Sequence, residues 1–105
     1  MVLESYTIDD DLASQTRGAI EVTLKLKGLN PRWCYFMCPE ALAACGDRIP
    51  GTMATMHLGW PHMIVVACEI TLEIIDRVLR EIDSQGALER CSLPVDGYSE
   101  SQFGR

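Results

Sequence analysis

The chain has 105 residues, 48% of them hydrophobic and 23% charged, a balance that fits one folded domain and excludes a disordered polymer. Nine Lys and Arg face fifteen Asp and Glu, for a net charge of −6. So acidic a chain gains nothing from counterion release on phosphates, and the composition predicts no nucleic-acid partner.

Residues 1–17 are polar and carry Asp9, Asp10 and Asp11 in a row. They read as an arm, either frayed or opening a short helix near Thr7. The first regular element begins at Ala19. Ile20, Val22, Leu24 and Leu26 alternate with Glu21, Thr23, Lys25 and Lys27, and period two predicts a strand with one buried and one wet face. Gly28-Leu29-Asn30-Pro31 is a turn signal, and Arg32 to Cys38 resumes an extended, aromatic-rich run. Together they predict a β-hairpin whose second strand points Cys34, Phe36 and Cys38 one way and Trp33, Tyr35 and Met37 the other.

Pro39 suits the first turn of a helix, Glu40 to Cys45 are good helix formers, and Gly46 closes it. Residues 47–52 read as a loop, and 52–58 as strand or irregular chain. Gly59-Trp60-Pro61 is a second turn. The apolar run inside His62 to Glu69 predicts a central strand covered on both faces. Thr71 can cap a helix in which Leu72, Ile75, Val78, Leu79 and Ile82 recur at helical spacing. Glu73–Arg77 and Asp76–Arg80 form acid-before-base pairs on its wet side, and Gly86 ends it. Residues 87–93 suggest an edge strand, and 94–105 a loose tail. The fold class expected over residues 1–105 is α+β: a two-layer sandwich with an antiparallel or mixed sheet. An N-terminal β-hairpin, one short helix and one long amphipathic helix on one face complete it.

The sequence begins acidic and shows no basic-then-apolar leader, and its longest apolar run, Met63 to Cys68, is far short of the roughly 18–20 residues that span a bilayer. Five cysteines cannot all pair within one chain. The expectation is a cytoplasmic protein with free thiols and no membrane partner.

Candidate chemistry is sparse. Cys34 and Cys38 lie four apart on one strand face, roughly 13 Å along it, too far to share a metal ion. No phosphate-binding glycine loop, nucleophile elbow or His-Glu-x-x-His motif occurs, which favours a binding protein over an enzyme. His57 and His62 flank Leu58-Gly59-Trp60-Pro61. A hairpin there would bring the two imidazoles opposite one another, within reach of zinc or another divalent metal. Trp60 at a loop tip is a candidate partner anchor, because tryptophan buries much area with few torsions. The acidic groups Asp9, Asp10, Asp11, Glu73 and Asp76 are candidates for steering a basic protein surface.

The leading expectation is therefore a small acidic interaction protein without a cofactor that binds and inhibits or neutralises another protein, as immunity proteins and antitoxins do. A metal-binding protein or enzyme using His57 and His62, and a homo-oligomeric ligand-binding module such as a homodimer, are the alternatives.

Overall fold

A computed structural model describes residues 1–11, 18–45, 47–56 and 60–95. In chain order the elements are β1 (Leu3–Ile8), β2 (Ala19–Leu26), β3 (Arg32–Met37), α1 (Pro39–Cys45), β4 (Asp47–Arg48), β5 (Thr55–Met56), β6 (Met63–Val65), α2 (Leu72–Ser84) and β7 (Leu93–Pro94). The main sheet is mixed, in the order β1-β2-β3-β6, with β7 also paired to β3. β1/β2, β2/β3 and β3/β7 run antiparallel, whereas β3/β6 is parallel. With α2 packed on one face, the α+β class expected from the sequence is the one observed.

Register explains which side chains make the core. Ile8 pairs with Val22 and Val22 with Cys34; Ile20 pairs with Phe36 and Phe36 with Ile64. Each row therefore crosses the sheet on the same face. Ile20, Val22, Leu24, Leu26, Cys34 and Phe36 are fully buried there in one cluster with Ile75 and Leu79 of α2 and with Ile70. Truncating any of the large members to Ala removes about 2–5 kcal/mol.

α2 forms where its sequence signals placed it. The Thr71 side chain accepts a hydrogen bond from the Ile74 N–H at 3.2 Å and caps the first turn. Arg77–Glu73 (3.3 Å) and Arg80–Asp76 (2.9 Å) pair along its outer side. At the other end Gly86 takes φ +68°, and Ala87 N–H to Ile82 O and Gly86 N–H to Asp83 O close a Schellman turn.

Two side chains of α2 tie down the first strand. The Tyr6 hydroxyl donates to Asp76 at 2.8 Å, and Asp83 accepts the Val2 and Leu3 N–H groups at 2.8 and 3.2 Å. Arg32 does the same for the last segment, donating to the Ser92 hydroxyl and to the Glu89 and Ser92 carbonyls, each at 2.8 Å.

The structure corrects the sequence expectation in several places. Residues 3–8, expected within a polar arm, form an edge strand; a bulge between Leu3 and Ser5 spaces the inward residues Leu3, Tyr6 and Ile8 unevenly and hides the period. The apolar run after His62 gives only the three-residue β6 at the sheet edge, with Val65 45% exposed, because it shares that side of β3 with β7. β5 pairs with β4 in a separate ribbon, not with β6, since Gly51 (φ +80°) and the Thr52 hydroxyl bond to Ile49 O turn the chain back on itself. Pro94, expected at the start of a loose tail, belongs to β7, and Val95 N–H bonds Pro31 O at 3.1 Å.

Candidate functional site

The face of the sheet opposite α2 follows from the same register. Glu21 lies beside Tyr35 and Tyr35 beside Met63, while Thr23 lies beside Trp33 and Trp33 beside Leu93. Alternation therefore puts Glu21, Trp33 and Tyr35 on one surface, away from the buried row of Val22, Cys34 and Phe36. Trp33 and Tyr35 stack along the strand, with centroids 6.0 Å apart and planes 22° apart.

The turn before β6 completes the site. The Tyr35 N–H donates to the His62 carbonyl at 2.9 Å, and Met63 N–H to the Trp60 carbonyl at 3.2 Å. These bonds fix His62 against both aromatic rings, at 4.6 Å from Trp33 and 5.1 Å from Tyr35, edge to face in each case. Trp60 lies parallel to the imidazole, 5.7 Å away with planes 7° apart. Two aromatic surfaces thus meet at a steep angle, Trp33 with Tyr35 forming one and Trp60 with His62 the other.

A cavity of about 700 Å³ opens at this corner. Asp10, Ala19, Glu21, Pro61 and Leu93 join the four rings in lining it. Asp10 reaches there because its carboxylate accepts the Glu21 N–H at 2.7 Å, and Asp9 N–H extends the pairing to Glu21 O. The charged side chains lining the cavity among the described residues are carboxylates.

His62 is only 6% exposed, and its Nδ1 is buried with no hydrogen-bond partner among the described residues. Burial pushes its pKa below the ordinary 6.5, so the imidazole favours its neutral form. A neutral ring adds no positive charge to a pocket edged with carboxylates.

The candidates singled out in the sequence fall into separate places. Trp60, His62 and Asp10 meet in the cavity. Asp9 instead accepts the Thr23 hydroxyl at 2.6 Å, and Asp11 is exposed beyond it. Glu73 and Asp76 belong to α2, on the other layer, paired with Arg77 and Arg80. The Arg80 bond first, and the Tyr6 hydroxyl second, hold the Asp76 carboxyl below its usual range. His57 lies outside the described residues, as do 12–17 and 96–105. Among the described residues no group of three or more His, Cys, Asp or Glu is placed to hold a metal ion. None of the described helices is long and apolar enough to cross a membrane.

Trp33, Tyr35 and Glu21 were not singled out as site residues by the sequence. Their signal was present: two aromatics two residues apart, on the strand face that the apolar residues of the hairpin leave to solvent. No protein-family model matches this chain, and no curated protein or solved structure does either.

Proposed function

We propose that this protein is a small acidic cytoplasmic interaction protein that binds, and by binding inhibits or neutralises, another protein with a basic surface. The partner docks on the sheet face opposite α2, around Trp60. The observation that carries this reading is the aromatic corner of Trp33, Tyr35, Trp60 and His62, edged by Asp10 and Glu21. Trp60 is 54% exposed although its ring is held by a stack on one side, the arrangement of a rigid anchor waiting for a second surface. A net charge of −6 favours encounter with a basic partner. Free thiols at Cys34, Cys38, Cys68 and Cys91 suit a reducing compartment.

Native mass spectrometry of the protein isolated from its source, followed by affinity measurement on the recovered complex, tests the reading. Trp60→Ala and Trp33→Ala are expected to weaken the complex at least about tenfold while circular dichroism stays unchanged, as hot-spot truncations do. A complex indifferent to both substitutions overturns this docking face, and recovery of a bare monomer counts against the partner itself.

A further inference from the structure

We infer that the aromatic corner is a receptor for the guanidinium group of an arginine side chain presented by the basic partner. This inference rests on the docking face proposed above and names the group that fills it.

Three features select the occupant. The first is charge: Asp10 and Glu21 are the acidic side chains lining the cavity, with no Lys or Arg beside them among the described residues, so it favours a cation and disfavours phosphate or carboxylate ligands. The second is the pair of aromatic surfaces. Ring faces attract cations through their quadrupole, and the indoles of Trp33 and Trp60 supply the strongest such faces. Because the His62 plane stands 67° from Trp33 and 68° from Tyr35, while Trp60 follows His62 within 7°, the walls form a corner. A nucleobase sandwich needs parallel walls. A flat cation can lie on one wall and direct its edge toward the carboxylates of the lining.

The third feature separates the cations. A lysine ammonium is compact and strongly hydrated, whereas guanidinium is planar, weakly hydrated and stacks on aromatic faces while keeping its donors in plane. A quaternary ammonium satisfies the rings but donates nothing to Asp10 or Glu21. An ammonium can donate to the carboxylates but has no plane to lay on a ring, whereas guanidinium stacks on a ring face while its in-plane N–H groups reach the carboxylates.

The test titrates the full-length protein with L-argininamide, L-lysinamide, L-citrullinamide and tetramethylammonium, following the indole N–H resonances of Trp33 and Trp60. Both indole signals are expected to move saturably with argininamide. Citrullinamide, which keeps the α-amino group but has an uncharged side chain, is expected to bind at least about tenfold more weakly, equivalent to about 1.4 kcal/mol. An Asp10→Asn, Glu21→Gln double variant is expected to lower argininamide affinity by a similar factor while the remaining amide spectrum stays in place.

Equal binding of lysinamide, of citrullinamide or of tetramethylammonium, or no saturable shift, each overturns the guanidinium assignment. If argininamide fails while a partner complex is still lost in Trp60→Ala, the docking face stands and only its occupant is wrong. If that complex ignores Trp60→Ala, the docking face itself falls.

Discussion

Trp60 lies flat on His62, planes 7° apart and centroids 5.7 Å apart, although one residue separates them. Pro61 and the Met63 N–H bond to the Trp60 carbonyl fold the chain tightly enough to bring the rings together. The stack leaves the indole 54% exposed and the imidazole 6% exposed. One ring is offered to solvent, and the other is withdrawn from it.

That withdrawal has a consequence for pH. Burial lowers the His62 pKa from 6.5, so between its folded value and 6.5 the unfolded chain binds more protons than the native one. Stability is fully present above 6.5 and declines as pH falls through that window. Asp10, Glu21 and Tyr35 share the cavity with the ring. Urea midpoints at about pH 7.5 and about pH 5.5 measure the loss, and His62→Phe is expected to reduce it. An identical decline in the variant would show that another group carries the dependence.

Cysteine reactivity reports the two layers directly. Burial, with Cys91 nearby as the lesser cause, pushes the Cys34 thiol up to about 12. Its thiolate population at neutral pH is therefore negligible, and Cys34 and Cys38 are both buried. In native protein a thiol-labelling reagent is expected to modify exposed Cys68 rapidly and Cys34 only after unfolding. Peptide mapping by mass spectrometry after timed labelling separates the sites; early modification of Cys34 contradicts the packing of β3 under α2.

How much of this was legible in the sequence depended on whether the contacts were local. The β2–β3 hairpin and α2 could be read because Ile20, Val22, Leu24 and Leu26 keep an unbroken period of two and Ile75, Val78, Leu79 and Ile82 a helical one. β1 escaped because its bulge shifts Leu3 out of step with Tyr6 and Ile8. In the sequence Trp60 stands by itself, His62 reads as a partner of His57, and Asp10 as one of three consecutive acids. Their meeting depends on non-local bonds, Tyr35 N–H to His62 O and Glu21 N–H to Asp10, which no short motif encodes. Trp33 and Tyr35 were placed on the correct strand face, but the turn that makes that face a cavity comes from more than twenty residues further along the chain.

Asp83 shows the same long-range dependence in its stability role. It is 6% exposed near the C-terminal end of α2, where a negative charge is disfavoured by the helix dipole. It is retained there because it accepts both Val2 N–H and Leu3 N–H, fixing the start of β1. Asp83→Ala orphans two donors and is expected to cost about 2 kcal/mol, with Asp83→Asn intermediate. Faster amide exchange along β1 should accompany the loss. A variant that loses stability with β1 protection unchanged would place the role of Asp83 elsewhere.

The ends of α2 provide an independent test of how that helix is held. At Gly86 the backbone sits at φ +68°, yet a Cβ added there meets nothing within 4 Å. The cost of Gly86→Ala is therefore conformational rather than steric crowding from neighbours, about 1 kcal/mol, and Gly86→Asn is expected to cost less because asparagine tolerates the left-handed region. At the other end, Thr71→Ala removes the acceptor for Ile74 N–H, also at about 1 kcal/mol. The two sites share no partner and cap opposite ends, so the double variant is expected to lose about 2 kcal/mol, close to the sum. Denaturant titration of the three variants checks both size and additivity. A double variant no worse than Thr71→Ala alone would mean that the Schellman turn at Ile82–Ala87 is held by the burial of Ala87 and Leu88 rather than by the glycine.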